Sequence, residues 1–129
     1  MILVDTSVWV EVFRAKRPLR LESVVPFDDV VTCLPVVQEV LQGFRDERAF
    51  RLAREAMLAL PIVESPMSSG LFDEAVALYR LARRSGITVR SSVDCLIAAC
   101  AIRSGLEVLH RDRDFTALEK VSTLRTRAI

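Results

Sequence analysis

Four acidic side chains occupy positions where chemistry is expected, because each lies at a predicted helix start or just past a predicted strand. They are Asp5, Glu39, Asp94 and Asp112. Asp5 directly follows a short apolar run, and Asp112 lies three residues past Leu109, near the end of a late apolar run. Functional groups gather at the carboxyl ends of the strands in a parallel α/β sheet. The four acids are therefore expected near one edge of such a sheet.

Clustered carboxylates have a direct chemical consequence. Two of them about 4 Å apart repel each other by roughly 4 kcal/mol at an effective dielectric constant of about 20. A hard divalent cation with oxygen ligands relieves this repulsion, and magnesium keeps several waters while one or two carboxylates bind it. A water on the metal becomes a hydroxide-like nucleophile, and the metal offsets charge on a phosphate. A cluster of acids that binds such a metal is therefore expected to hydrolyse phosphodiester bonds.

Each acid also has a local explanation, and the spacing alone leaves both interpretations open. Asp5 can be only a helix cap, and an acid at a helix start, such as Asp94, is favoured by the helix dipole. Glu39 can be a surface residue of an amphipathic helix, and Asp112 can be a turn residue. The apolar neighbours of Glu39 within residues 36–41 favour a functional role for it.

The hydrophobic pattern predicts short strands that alternate with helices. Strands are expected at residues 2–4, 62–63, 106–109 and 124–128. Residues 30–32 are a candidate strand or a short extended connection, and residues 87–89 are expected to be extended. Helices are expected at residues 8–13, from 35 to about 43, at 46–60, from 68 or 69 to 84, at 93–104 and at 116–120. This alternation indicates an α/β layered domain with a mainly parallel sheet. Since no linker or repeat interrupts the chain, residues 1–129 are expected to form one domain.

Composition narrows the class of protein. A hydrophobic fraction of 51% predicts a compact fold, and a net charge of +1 neither demands nor excludes a nucleic-acid partner. The three cysteines form no Cys-x-x-Cys pair and have apolar neighbours, which predicts buried, reduced thiols in a cytoplasmic protein. The chain shows no signal peptide, and charges interrupt every apolar stretch before it reaches membrane-spanning length, so no membrane association is expected.

Four segments of the chain resemble the acidic motifs of PIN-domain nucleases, and more narrowly those of VapC toxins from bacterial toxin–antitoxin pairs. The segments are Asp5-Thr6-Ser7-Val8-Trp9, Gln38-Glu39-Val40-Leu41-Gln42-Gly43, Val89-Arg90-Ser91-Ser92-Val93-Asp94-Cys95-Leu96-Ile97-Ala98-Ala99 and Leu109-His110-Arg111-Asp112-Arg113-Asp114-Phe115. They occur in the family's order and span essentially the whole chain. One such motif is a weak signal, whereas four in order are a strong one.

The resemblance implies a PIN-like three-layer α/β/α sandwich with a mainly parallel sheet. It also implies a magnesium-dependent endoribonuclease, with manganese as a substitute, that is the toxin of a pair, forms a homodimer and is blocked by a cognate antitoxin. Matched motif by motif, the resemblance implies that the catalytic acids are Asp5, Glu39, Asp94 and Asp112. It also implies that Asp5, Asp94 and Asp112 bind the metal. The fold and the activity are expectations for the structure to test.

Several neighbours of these acids carry over in supporting roles. Thr6 or Ser7 supplies a hydroxyl beside Asp5, and Asp114 is either a further acid of the site or the cap of the following helix, with the cap preferred. His110 departs from the family, where threonine or serine is frequent, and a structural role is expected for it. Basic residues expected to bind RNA are Arg14, Lys16, Arg17, Arg90, Arg111 and Arg113, with Arg20 beside the first three.

Other functions remain as alternatives. A housekeeping RNA-processing PIN nuclease is the nearer one, and a small antitoxin gene directly upstream would favour the toxin. A non-catalytic, magnesium-binding regulatory α/β module of the receiver kind would need paired acids after the first strand and a suitably placed late lysine. Asp5 stands alone there, and Lys120 is poorly placed. An aspartyl phosphatase would need an Asp-x-Asp motif, which Asp5-Thr6-Ser7 lacks.

Overall fold

The structure, a computed structural model, describes all residues from Met1 to Ile129. Its strands are β1 (Ile2–Val4), β2 (Val30–Val31), β3 (Glu107–His110) and β4 (Arg125–Ala128). Its helices are α1 (Thr6–Val12), α2 (Leu34–Gln42), α3 (Glu47–Leu58), α4 (Ser69–Arg84), α5 (Ser92–Arg103) and α6 (Arg113–Val121). Two 3-10 turns, Leu21–Ser23 and Phe27–Asp29, lie between α1 and β2.

The four strands form one parallel sheet in the order β2-β1-β3-β4. In the register of the sheet, Leu3 lies between Val31 of β2 and Val108 of β3. All three residues of β1 are buried, as expected for a central strand covered on both faces. The predicted three-layer α/β/α fold with a parallel sheet is therefore confirmed.

The short strand predicted at residues 62–63 is wrong. This segment contributes a single parallel bridge, in which Ile62 pairs with Thr32. Residues 87–89, predicted to be extended, pair with no strand, and Val89 is buried. Periodicity cannot distinguish burial from strand pairing in so short a run.

The helix starts follow the capping side chains closely. Asp5 accepts a hydrogen bond from the Ser7 N–H, so α1 begins at Thr6, two residues earlier than predicted. Asp112 accepts from the Asp114 N–H, so α6 begins at Arg113 rather than at residue 116. Since an N-cap oxygen satisfies one of the free N–H groups of the first turn, both acids stabilise the helices they precede.

The core lies between the sheet and the helices, and α5 lies at its centre. Seven consecutive or nearly consecutive residues of α5 are buried, namely Asp94, Cys95, Ile97, Ala98, Ala99, Cys100 and Ala101. Their small side chains allow α4 and the sheet to pack closely against this helix. The predicted buried, reduced cysteines are confirmed, because Cys33, Cys95 and Cys100 are all buried and free.

Trp9 belongs to this core rather than to a partner-facing surface. Its side chain is 4% exposed, and its indole Nε1–H donates to the Val4 carbonyl oxygen at 3.1 Å. Phe13 stacks on it at a ring-centroid distance of 5.9 Å and is half-buried. None of the helices combines the length and the apolar character that a membrane crossing requires.

Candidate metal centre

Asp5 connects the sheet to the candidate site, because it is both the residue after β1 and the cap of α1. Its Oδ2 accepts from the Ser7 N–H at 2.9 Å and from the Ser7 hydroxyl at 2.5 Å. Its own N–H donates to the Leu109 carbonyl of β3 at 2.9 Å. The side chain is 2% exposed, and its Oδ1 has no hydrogen-bond partner within the protein.

Three further acids converge beside the ends of the two central strands. One carboxylate oxygen from each of Asp94, Asp112 and Asp114 lies within 4.8 Å of the others. Asp94 and Asp114 are buried, and Asp112 is half-buried. Asp94 Oδ2 is buried without a hydrogen-bond partner within the protein. The structure thus brings Asp94 and Asp112 together, as the sequence predicted, and adds Asp114 to them.

Asp114 is not the helix cap that was preferred from the sequence, and that interpretation is wrong. Asp112 caps α6, whereas Asp114 lies in the first turn of α6, within the cluster of acids, and is 3% exposed. Its Oδ2 accepts from the Arg90 backbone N–H at 3.0 Å, and its Oδ1 lies 3.6 Å from Arg90 Nε. Either acid of the segment suits a cap by residue type, but Asp112 supplies the cap oxygen and Asp114 pairs with Arg90.

Thr6 and Ser7 hold the site together through different partners. The Thr6 hydroxyl donates to Glu39 Oε1 at 2.8 Å and so anchors Glu39 of α2 beside Asp5. The Ser7 hydroxyl donates to Asp5 and accepts from the Arg111 N–H at 2.9 Å. The two hydroxyls therefore fix an acid on α2 and the loop after β3 relative to the end of β1.

Burial and mutual repulsion raise the pKa of three of the acids. Burial, a hydrogen bond with Asp114 and the nearby charges of Asp5 and Asp112 raise the pKa of Asp94 to about 8. Burial raises the pKa of Asp5 above its usual range, against the lowering effect of the hydrogen bonds from Ser7. Burial likewise raises the pKa of Glu39, with the charges of Asp5 and Asp112 adding to it. A raised pKa makes a carboxyl group easier to protonate, so a cation that binds these acids competes with protons.

The chemistry of these residues fits a divalent metal ion. The donors are all carboxylate oxygens, the type that hard cations prefer, and two buried oxygens, Asp5 Oδ1 and Asp94 Oδ2, lack partners within the protein. An unpaired buried carboxylate is unfavourable unless a positive charge neutralises it. Asp94, Asp112 and Asp114 would supply the core of the coordination, with Asp5 beside them.

The raised pKa of Asp94 predicts how the metal-free protein responds to pH. A carboxyl group whose pKa rises from 3.8 to about 8 on folding contributes stability that is complete below 3.8 and is lost as the pH rises through about 8. The melting temperature in chelator is expected to fall by several degrees between about pH 6.5 and pH 9. Differential scanning fluorimetry across this range measures it.

The Asp94→Asn variant is the control for this pH effect, since its amide cannot titrate. Its melting temperature is expected to change less over the same interval. An equal fall in both proteins would assign the pH dependence to another group. His110 is not expected to produce this effect, because burial lowers the pKa of His110 from its usual 6.5.

His110 is a packed residue of β3, in agreement with the structural role expected for it. It is 1% exposed, its Nδ1 accepts from the Asp112 N–H at 3.2 Å, and its ring lies 5.3 Å from that of Phe115. The Asp112 contact helps to position the loop that carries this acid. The Nε2 atom has no partner within the protein.

The basic residues predicted to bind RNA lie on two sides of the acids. Arg90 lies closest, with Nη2 3.4 Å from Asp112 Oδ1 and a side chain that is 56% exposed. Arg111 and Arg14 share the carboxylate of Glu11, at 3.7 and 3.0 Å respectively. All six residues of the set are exposed, and their role in RNA binding stays a prediction.

Comparison with known proteins agrees with this geometry. Residues 2–121 match the PIN domain family. The chain is 38% identical over 130 residues to Ribonuclease VapC11 from Mycobacterium tuberculosis, a match that covers 97% of this chain and 96% of that protein. The match to VapC ribonuclease Mb1587 from Mycobacterium bovis has the same identity and coverage. The chain therefore belongs to the PIN-domain family, and within that family it belongs with the VapC ribonucleases.

Solved structures show the same fold at lower sequence identity. VapBC-5 from Mycobacterium tuberculosis, a toxin–antitoxin system, superposes with a TM-score of 0.73 at 23% identity and covers 99% of this chain and 98% of its own. DNA-bound VapBC from Salmonella typhimurium gives a TM-score of 0.77 at 15% identity, with coverage of 99% and 98%. At these identities the likeness establishes the fold alone.

Proposed function

We propose that the chain is a metal-dependent endoribonuclease that acts as the toxin of a toxin–antitoxin pair. One observation carries the proposal: Asp94, Asp112 and Asp114 lie together at the carboxyl edge of the sheet, with Asp5 close enough for its charge to raise the pKa of Asp94, in a member of the VapC ribonucleases. Magnesium is the cofactor that best fits an all-carboxylate donor set, with manganese able to substitute.

The acids have distinct roles in this proposal. Asp94, Asp112 and Asp5 hold the cation, as the sequence predicted, and Asp114 joins them as a fourth oxygen donor. When bound, the cation activates a water and offsets negative charge on the scissile phosphate. Glu39, half-buried and anchored by Thr6, is suited to hold a proton near this centre because its pKa is raised.

Arg90 supplies the positive charge closest to the acids. Its guanidinium group pairs with Asp112 and Asp114 while more than half of the side chain stays exposed. An arginine in this position can hold a phosphate oxygen with charge-assisted hydrogen bonds and orient the RNA backbone at the site. Arg90, which can bind a phosphate, therefore lies next to the acids that can bind a metal ion, and phosphodiester cleavage uses both.

The test of the proposal is RNA cleavage with and without metal. Purified protein incubated with total RNA in magnesium is expected to cleave it at least about a hundredfold faster than in excess chelator, because the metal supplies several kcal/mol of stabilisation. Gel electrophoresis of labelled RNA measures the rate, and a parallel preparation of the Asp94→Asn variant controls for a contaminating nuclease. Undiminished cleavage in chelator would refute the metal-dependent mechanism.

The partners proposed for the chain are an RNA substrate, a cognate antitoxin and a second copy of itself. An apolar groove of about 380 Å³ between α1, α2 and the start of α3 offers a docking place for an antitoxin segment, with Val10, Phe13 and Phe44 in its lining and Glu39 at its margin. The exposed apolar side chains of Phe72 and Val76 on α4 motivate the homodimer. A monomer mass by light scattering at micromolar concentration would reject the dimer.

A further inference from the structure

A second cavity, lined by charge rather than by apolar groups, lies beside the candidate metal centre. It has a volume of about 730 Å³ and forms between the end of α1, the segment that follows it and the loop after β3. Four arginines line it, namely Arg14, Arg17, Arg20 and Arg111, against two glutamates. The lining therefore carries an excess of two positive charges, within a chain whose net charge is only +1.

Hydrogen bonds connect this arginine pocket to the metal centre. The Arg111 N–H donates to the Ser7 hydroxyl, which itself donates to Asp5. The Arg111 side chain turns towards the pocket, where its Nη1 lies 3.7 Å from Glu11 Oε1. Arg111 therefore belongs both to the loop that carries Asp112 and to the lining of the arginine pocket.

The pocket is formed by the folded chain and does not depend on a partner. The Leu19 N–H donates to the Glu11 carbonyl at 2.9 Å, which closes the segment after α1 back onto the helix. Glu11 Oε2 accepts from Arg14 Nη1 at 3.0 Å, so one carboxylate holds two of the arginines. Arg17 and Arg20 have no carboxylate within 4.0 Å and remain free to bind an anion.

The side chains of the pocket indicate what kind of anion it takes. Four guanidinium groups provide planar, forked donors that match phosphate oxygens. The lining contains no aromatic residue on which a base could stack and a single hydrophobic side chain. Stacking and base-edge contacts carry sequence preference, whereas phosphate contacts carry affinity without it. The pocket thus suits a nucleic-acid backbone rather than a particular base.

We infer that the arginine pocket is a subsite for the phosphates of single-stranded RNA that flanks the scissile bond. The inference rests on the proposed ribonuclease activity and assigns to the pocket a role separate from the chemistry. The arginine pocket holds the substrate through Arg14, Arg17 and Arg20 and extends the RNA-binding surface away from the metal. The subsite contributes affinity that depends on RNA length and on salt, and it does not select sequence.

The test measures RNA binding in excess chelator, where cleavage does not intervene. Fluorescence anisotropy follows a labelled oligouridine bound to the triple variant Arg14→Ala, Arg17→Ala, Arg20→Ala and to the unaltered chain. Each phosphate contact on single-stranded nucleic acid contributes about −0.7 to the slope of log K against log salt concentration. The slope of the variant is expected to be shallower by about 2, with binding about 10- to 50-fold weaker near 0.15 M salt.

Two matched variants make the result specific to the pocket. Replacing Arg48, Arg51 and Arg54 of α3 with Ala removes the same charge from an exposed helix outside the pocket and is expected to change the slope by less than half as much. Replacing Arg14, Arg17 and Arg20 with Lys keeps the charge and is expected to restore most of the salt dependence. Both variants also show whether the substitutions disturb the fold.

RNA length gives a readout that a merely structural role would not change. The unaltered chain is expected to bind a long oligouridine more tightly than a short one, and the alanine variant is expected to lose most of this advantage. Equal losses from the pocket and α3 variants, or an unchanged length advantage in the pocket variant, would overturn the subsite. A chain that binds RNA through the pocket but fails to cleave it with magnesium would instead refute the proposed function and leave the subsite supported.

Discussion

Replacing Asp94 with Asn is expected to abolish metal-dependent RNA cleavage while the chain still folds. The amide has nearly the same shape but lacks the charge that holds a cation beside Asp112 and Asp114. Loss of this ligand is expected to lower the cleavage rate at least about a thousandfold, equivalent to several kcal/mol of transition-state stabilisation. Initial rates on labelled RNA in saturating magnesium measure the effect.

The same substitution is expected to raise the melting temperature of the metal-free protein. Asp94 is 5% exposed and lies among other carboxylates. Replacing it with a neutral amide therefore removes electrostatic repulsion that destabilises the metal-free fold. Asp73→Asn, which changes an exposed acid of α4, is the matched control and should alter neither property. Full activity in the Asp94→Asn variant would remove this residue from the site.

The complex with the cognate antitoxin is expected to be inactive, and a charge placed in the groove between α1 and α2 is expected to release the activity. Val10 is 58% exposed at this groove, whose margin includes Glu39. Val10→Glu places a charge against an apolar partner surface and should weaken the complex by about 30-fold, or about 2 kcal/mol. The ratio of cleavage rates with and without the partner measures the release.

Leu52→Glu is the matched control for this substitution. Leu52 is 60% exposed on α3 and lies outside the lining of this groove, so the same charge is introduced at a similar exposure. Inhibition of the Leu52→Glu variant should persist, whereas that of the Val10→Glu variant should be relieved at equal partner concentration. A partner that leaves cleavage unchanged would contradict masking of the site, and the nuclease proposal would still stand.

The sequence predicted the parts of the site that local patterns control. Asp5 after an apolar run and Asp112 after the late strand were both recognised as strand-end acids. Strand ends leave clear signals in a sequence because they depend on neighbouring residues, whereas the choice of Asp114 over Asp112 as the cap of α6 was wrong. The order of strands and helices was likewise readable, as was the burial of the cysteines.

The parts that failed depend on contacts between distant segments. Asp114 accepts a hydrogen bond from the backbone N–H of Arg90, which lies 24 residues away in the chain. No local sequence pattern predicts that contact. The same applies to the hydroxyl of Thr6, which pairs with Glu39 at a separation of 33 residues.

The pairing of β1 with β3 determines when, during synthesis, a working centre can form. Ile2 aligns with Glu107, and the hydrogen bond between Ser7 and Arg111 spans 104 residues. Contacts this far apart in sequence form only after most of the chain has been synthesised. A nascent chain that stops before residue 112 has Asp5 but lacks both Asp112 and Asp114. The RNA-cleaving centre can therefore be completed only after the segment that follows β3 has emerged from the ribosome.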